Sequence, residues 1–460
     1  MKDLIERLAS ITPAQWIATD PASLDILSWD ALSEGRIHPL RSVDINLPAC
    51  AVFPGSVDEI RQVVLLANEQ KIPIVPYGGG SGLMGAALSV QPGIVMDLRR
   101  MNQALEIDPA ARSARVQAGI VLEALDQRLN EHDLILGHDP WTLPVATVGG
   151  AISTNSVGYR AGVYGSMGDQ VLGLEAVMAN GEILRTRAVP KSSTGPDLNF
   201  LLIGGEGCFG IVTEATVKIF PKPERRVFHA LFFQSFEAGF DAIQKLFAKG
   251  LQPALLDFGD GDEKNPDGAV LYLVFEGNAK VVAAEDKSAI DVLLQNGGKQ
   301  LEVREAETFW RDRHVIARHF MAHRSQRRER GRDGIYRDWI HVALPASKVL
   351  AFRRAAMVMV EQHGVQLHES GLWIQPELFS MRLGIEDRGE SQAQLALQEA
   401  IDELLRLAQA MGGSMEYTHG VGVKLAPLML EEHGYGLEIM RRIKKMLDPN
   451  NIMNPGKMGL

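Results

Sequence analysis

Leu143-Pro-Val-Ala-Thr-Val-Gly-Gly-Ala-Ile-Ser-Thr-Asn-Ser-Val-Gly158 decides the reading of this chain. Two other stretches share its character. One is the loop Pro76-Tyr-Gly-Gly-Gly-Ser-Gly-Leu-Met-Gly85, and the other is Gly205-Glu-Gly-Cys-Phe-Gly210. Small residues and hydroxyls crowd all three. Backbone needs that composition where it passes close to a flat, phosphate-bearing ligand and presents N–H donors to it. Glycine also punctuates ordinary turns, so one such loop alone decides nothing. Three in one region point to a ligand.

Two of these loops match G-x-G-x-x-G, at Gly80–Gly85 and Gly205–Gly210. The nicotinamide-dinucleotide fingerprint requires a strand before the glycines and a helix opening from them, so that phosphate rests on a helix N-terminus. The second match runs into Ile211–Phe220, which alternates like a strand, and the first is cut short by Pro92-Gly93. Both contexts fail the motif's own condition, and a nicotinamide site is disfavoured.

Around these loops the chain alternates helix and strand. Ser56-Val-Asp-Glu59 has capping-box spacing and predicts a helix to about Gln70 with Ile60, Val63, Val64 and Ala67 on one face. Strands are expected at Ile72–Pro76 and Gly93–Leu98. A hairpin is expected across Asp108-Pro109, and a helix over Val121–His132. After Pro221-Lys-Pro223 the pattern changes. A strand-helix-strand-strand-helix order appears over residues 227–295 and returns over 339–411, which suggests two ferredoxin-like halves sharing one sheet. Between them lies the charged run Arg324–Arg332, expected to be a solvated loop. An amphipathic helix over Leu437–Leu447 leads into Asp448-Pro-Asn-Asn-Ile-Met-Asn-Pro-Gly456, which is expected to pack back on the first domain. The fold class is α+β. The expected domains are 1–223, a cap over 224–414, and a segment over 415–460 returning to the first domain.

The 460 residues carry a net charge of −10, against a general nucleic-acid surface. Cys50 and Cys208 are the only cysteines, giving neither a disulfide framework nor metal spacing. No segment approaches the roughly 20 apolar residues of a membrane span. Met-Lys-Asp-Leu-Ile-Glu-Arg7 has acids where a signal peptide would be apolar, so a cytoplasmic protein is expected.

The order of these pieces resembles the vanillyl-alcohol oxidase/PCMH family of flavoproteins over nearly the whole chain. The resemblance implies a PCMH-type FAD-binding domain with a separate cap, and non-covalent FAD, since the first loop has no His and Pro144–Gly168 no Cys. It implies FAD contacts from Pro76, Tyr77, Gly78, Gly79, Gly80, Ser81, Gly82 and Leu83 in the first loop. From the second region it implies Pro144, Thr147, Val148, Gly149, Gly150, Ser153, Thr154, Asn155, Gly158, Tyr164 and Gly165. Glu206, Gly207, Gly210, Ile211, Val212 and Asn454 complete the set.

The segment Met415-Glu-Tyr-Thr-His-Gly-Val-Gly422 resembles the catalytic-His motif of the D-2-hydroxyacid dehydrogenases in that family. It makes His419 the expected base, with Tyr417 and Glu416 beside it. The metal-dependent relatives carry His-x-Gly-Asp-Gly-Asn-Leu-His on a cap strand and a Glu before the catalytic His. Here His368-Glu-Ser-Gly-Leu-Trp-Ile-Gln375 keeps one His, and Thr418 replaces the Glu. An amide and a hydroxyl are poor ligands for a zinc-type ion, so no metal is expected at that position unless Glu369 or Glu416 rebuilds a site. Arg313, Arg382 and Lys424 are candidates to hold an anionic substrate, and Trp373 to line its pocket.

These features imply oxidation of the CH–OH group of a small hydroxy acid or alcohol. Oxygen, a quinone or an electron-transfer protein would take the electrons. Homodimerisation through the cap is left open. The alternatives are an alkyl-glycerone-phosphate-synthase-like flavin transferase, suggested by Gly137-His-Asp-Pro140, an alcohol or phenol oxidase of the same fold, and a non-enzymatic flavin-binding module.

Overall fold

The computed structural model describes residues 2–38, 46–261, 265, 267–322, 334–387 and 392–460. The run Arg324–Arg332 lies outside the described residues.

The helix after Ser56 spans Val57–Gln70, and the Ser56 hydroxyl accepts from the Glu59 amide at 3.2 Å. The reciprocal bond goes elsewhere: the Glu59 carboxylate accepts from the Gly55 amide. The helix buries the expected face and contacts the strand Val171–Val177. A small sheet is ordered Ile17–Ala18, Cys50–Val52, Ile94–Asp97, Ile74–Tyr77. The last three strands are parallel, and all but Pro76 of their residues are buried, as parallel strands covered on both sides require.

A second sheet of five antiparallel strands runs Ala104–Asp108, Ser113–Gln117, Ile211–Lys218, Val171–Val177, Ile183–Arg185. Its long central strand is the alternating segment that follows Gly210. The stretch between Pro144 and Gly158 holds a helix that the sequence did not announce, Val148–Thr154. Its Gly149-Gly150 pair is a poor helix former. The turn persists because the Thr147 side chain caps the Gly150 amide at 3.2 Å while Val148 and Ile152 are buried.

Besides a two-stranded pairing of Phe220–Pro221 with Leu134–Ile135, a further sheet has seven strands, all antiparallel, in the order Lys299–Gln300, Arg225–Phe233, Ala269–Gly277, Leu255–Asp260, Gln366–Trp373, Leu378–Glu386, Ile335–Ala343. The repeated halves meet where Phe258 pairs with Leu372. Each half contributes its second strand to the seam and backs it with helices, Phe236–Ala248 and Ala279–Gln295 from one half, Ala346–Gln362 and Gln392–Ala410 from the other. The helix Tyr435–Leu447 then returns the chain to the first sheet. Ile74 donates to the Ile452 carbonyl and accepts from the Asn454 amide. The Lys444 ammonium, itself buried, bonds Asp448 and the Cys208 and Met453 carbonyls.

Candidate active site

The glycine loops converge on one cleft. Residues Pro76 through Leu83 form one wall. Thr147, Gly149, Gly150, Ser153 and Thr154 form a second, and Glu206, Gly207, Gly210, Ile211 and Val212 a third. The first two walls touch so closely that a Cβ on Gly79 would stand 2.2 Å from the Val145 carbonyl oxygen. Gly80 has φ +60°, a conformation that favours glycine. Gly80, Ser81 and Gly82 line the cleft, and no partner for their amides is found among the described residues. Consecutive donors of this kind suit the pyrophosphate of a dinucleotide.

Seven of the expected cofactor residues stand outside the cleft lining. Pro144 precedes the helix, and Val148 turns into the core. Asn155 ends the helix in left-handed conformation and accepts from the Gly168 amide. Gly158 packs on the Asp139 backbone. Tyr164 reaches the Glu276 carboxylate and stacks near Phe220, and Gly165 packs on Asp169. Asn454 lies behind the wall, donating to the Ala86 and Glu206 carbonyls. The cleft instead includes Asp30, Trp141, Thr142, Ser156 and Val157, which carry no glycine signature.

A buried charged group underlies the first and third walls. Burial pushes Glu206 up to about 7 and Asp30 up to about 6, although backbone amides and Lys457 favour their charged forms. Burial also brings Lys457 down to about 8. Glu206 holds the next element in place. Its carboxylate accepts from the amides of Val421 at 2.5 Å and Gly422 at 2.8 Å. These residues follow His419, so the third wall of the cleft fixes the loop that carries the expected base.

Thr418 and His419 also line the cleft. His419 meets two partners. Its Nδ1 lies 3.5 Å from Glu416 Oε1, and its ring stands edge-on to His341 with centroids 4.5 Å apart. Glu416 also accepts from the amides of Thr418 and His419. Burial works against its charge, yet the His419 ring holds its pKa below the usual carboxylate value. His341 is pushed down to about 3, first by burial and then by the neighbouring His419, and is neutral at working pH. Tyr417 contacts His341 edge-on, and burial raises its hydroxyl well above the ordinary value. Its hydroxyl is buried and has no partner among the described residues.

The expected anion-holding residues are dispersed. Lys424 is buried against Asp338 at 2.6 Å, and Arg36 occupies the other oxygen of that carboxylate, also at 2.6 Å. Arg313 pairs with Asp139 at 3.0 Å and lies over the Trp310 ring. Arg382 stands 4.0 Å from Glu369, across two cap strands. Trp373 packs edge-on against Tyr159, beside the Arg313 backbone that the Tyr159 hydroxyl reaches. Arg313 and Trp373 meet in one aromatic cluster with Tyr159 and Phe309, and none of the four residues lines the cleft. Both cysteines are free and buried, and Cys208 serves as packing with its thiol toward the Asn454 carbonyl.

His341 was missing from the sequence reading. It sits in the alternating strand Ile335–Ala343, whose pattern announces packing and not chemistry. The backbone bridge from His341 to Glu416 is what brings it to the site, and that contact has no local signature.

Residues 48–187 match the family described as an FAD binding domain, and residues 222–458 match the C-terminal domain of FAD linked oxidases. The chain is 28% identical over 478 residues to glycolate oxidase subunit GlcD of Bacillus subtilis, covering 99% of this chain and 97% of the relative. It is 31% identical over 429 residues to a D-lactate dehydrogenase of Archaeoglobus fulgidus, covering 88% and 90%. Among solved structures, an alkyldihydroxyacetonephosphate synthase shares the fold at TM-score 0.80 and 19% identity, over 99% of this chain and 86% of that one. p-Cresol methylhydroxylase does so at TM-score 0.78 and 20% identity, over 100% and 96%. With its glycine walls and both matched domains, this chain belongs to the FAD-linked oxidases and is an FAD-dependent oxidoreductase.

Proposed function

We propose that the chain oxidises the CH–OH group of a small 2-hydroxy acid of the lactate, glycolate or 2-hydroxyglutarate class. The observation that carries this reading is the position of His419. It lines the glycine-walled cleft and is the one imidazole in that lining among the described residues. FAD bound there supplies a two-electron acceptor for the hydrogen on the alcohol carbon. The protein's part is to receive the hydroxyl proton and hold the carbon in place. His419 is the proton acceptor, oriented through its own amide and Nδ1 by Glu416. Neutral His341 and the buried Tyr417 exclude water behind it.

The substrate carboxylate is taken by Arg313, which Asp139 holds at 3.0 Å near Tyr159 and Trp373, outside the residues that line the cleft, with the guanidinium shared between Asp139 and the incoming anion. The domain division at about 223 and 414 fits this arrangement, since the base enters on residues that follow the cap. The relatives named for glycolate and D-lactate support the substrate class.

The test is anaerobic mixing with D- and L-2-hydroxy acids, simple alcohols and phenols, following loss of the oxidised-flavin absorbance. Bleaching by a hydroxy acid is expected. A flavin reduced only by alcohols or phenols would overturn the substrate class, and one reduced by none of them would favour transferase chemistry without net redox.

A further inference from the structure

We propose that His341, Glu416 and His419 form a binding site for a divalent first-row transition cation of the zinc class, built from a different strand than the ligand set this chain has lost. Among the described residues, these are the three His, Cys, Asp or Glu side chains whose ligand atoms all lie within 4.8 Å of one another. Two imidazoles and one carboxylate are a donor set that zinc accepts while leaving a coordination position open.

Three observations support the site independently of the count. First, backbone fixes it. His341 and Glu416 face each other across a parallel bridge, and the His341 carbonyl accepts from the Tyr417 amide at 3.2 Å. Second, the Nδ1 atoms of both His341 and His419 are buried and have no hydrogen-bond partner among the described residues. Two unsatisfied ring nitrogens beside one carboxylate cost free energy unless something bonds them, and a cation would. Third, His419 Nδ1 and Glu416 Oε1 are 3.5 Å apart. A tetrahedral ion with bonds of roughly 2.0–2.1 Å holds its ligands about 3.4 Å apart, so this pair needs almost no movement.

The site differs from the one whose absence the sequence predicted. His368 lies on the strand Gln366–Trp373, and its Nε2 packs against Gly384. Gln375 and Thr418 remain non-ligands. The carboxylate that rebuilds a ligand set is Glu416, three residues before His419 and not adjacent to it, and its partner is His341 from a strand with no motif. A cation on His419 Nδ1 leaves the ring proton on Nε2, so the loaded form would not use His419 as a base and should oxidise substrate more slowly than the stripped chain. That last clause rests on the proposed function; cation binding itself does not.

The experiment uses the FAD-loaded full chain, stripped with chelator and titrated with Zn²⁺ by calorimetry, with bound zinc counted by mass spectrometry. One Zn²⁺ per chain is expected. His341→Ala and Glu416→Gln should weaken binding beyond the roughly 10–100-fold that removing a merely supporting partner costs. His368→Ala should bind like the parent, and the flavin spectrum reports whether each variant is folded. Co²⁺ bound to the unaltered chain should show ligand-field bands to the red of the flavin, a readout that survives if His341→Ala does not fold. No zinc uptake by the parent chain, or unchanged affinity in a folded His341→Ala, would overturn the proposal. Flavin bleaching by a hydroxy acid without zinc uptake would remove this site and leave the proposed function standing. Zinc uptake with no bleaching of the metal-free chain would do the reverse.

Discussion

Glu206 connects the third wall of the cleft to the chemistry. Its carboxylate accepts both amides of the Val421-Gly422 turn, and Gly420, at φ +81°, comes so near that a Cβ there would lie 2.3 Å from Oε1. Glu206→Ala leaves two buried donors unpaired, which costs about 1–3 kcal/mol for each such group. We expect a lower melting temperature and a kcat that falls more than KM rises, because the loop bearing His419 loses its anchor. His419→Ala should lower kcat by about 10²–10⁴-fold with the flavin spectrum retained, the range that loss of a general base produces. Steady-state kinetics with the best hydroxy acid would check both. At this scale the sequence was legible where chemistry repeats locally. Gly78–Gly82 announced themselves through their glycine content, and His419 through the resemblance of residues 415–422 to a family motif. His341 and Asp30 did not, because what makes them part of the site is a long-range contact: a bridge to Glu416 in one case, an approach to Gly82 in the other.

The elements that shape the cleft are short, and their stability is local. The helix Val148–Thr154 has seven residues, two of them glycine, and leans on its Thr147 cap. Thr147→Ala should destabilise it by about 1 kcal/mol. It should also weaken FAD retention, read as the flavin-to-protein ratio after gel filtration. Gly79→Ala places a methyl group against the Val145 carbonyl and pushes the two walls apart. The purified variant is expected to be colourless yet folded by circular dichroism. The long elements were the legible ones. The helices after Ser56 and Ser235 begin at the hydroxyls that cap them. The strands of the repeated halves followed from alternation. What escaped was the Val148–Thr154 turn, because glycine content lowers helix propensity and only tertiary burial of Val148 and Ile152 restores it.

For the whole molecule, the buried Asp338 is the clearest long-range tie. It joins Arg36 near the start of the chain, its own cap strand, and Lys424 beyond the catalytic loop. Burial raises its pKa, but the two cations win and hold it at about 2. A carboxyl group with a depressed folded pKa stabilises the fold fully above its unfolded value of about 3.9 and loses that contribution as pH falls through the folded value. Stability should therefore drop between about pH 4 and pH 2 in part through this residue. Asp338→Asn should flatten that drop and cost about 3–5 kcal/mol near neutrality, since it leaves two buried cations uncompensated. Denaturant titrations at pH 7 and in the acid range would measure it. The two-half sheet was readable from the repeated order of elements, whereas this three-way pair was not, because Arg36, Asp338 and Lys424 are far apart in sequence and each has an ordinary neighbourhood.

The edge strand Ile74–Tyr77, which opens the first glycine loop, finds its outer neighbour only in residues 452–454. During synthesis on the ribosome that edge stays unfilled until nearly four hundred further residues have been added. Flavin capture therefore belongs after translation, and a nascent chain halted in the cap would expose an incomplete cradle to chaperones and proteases.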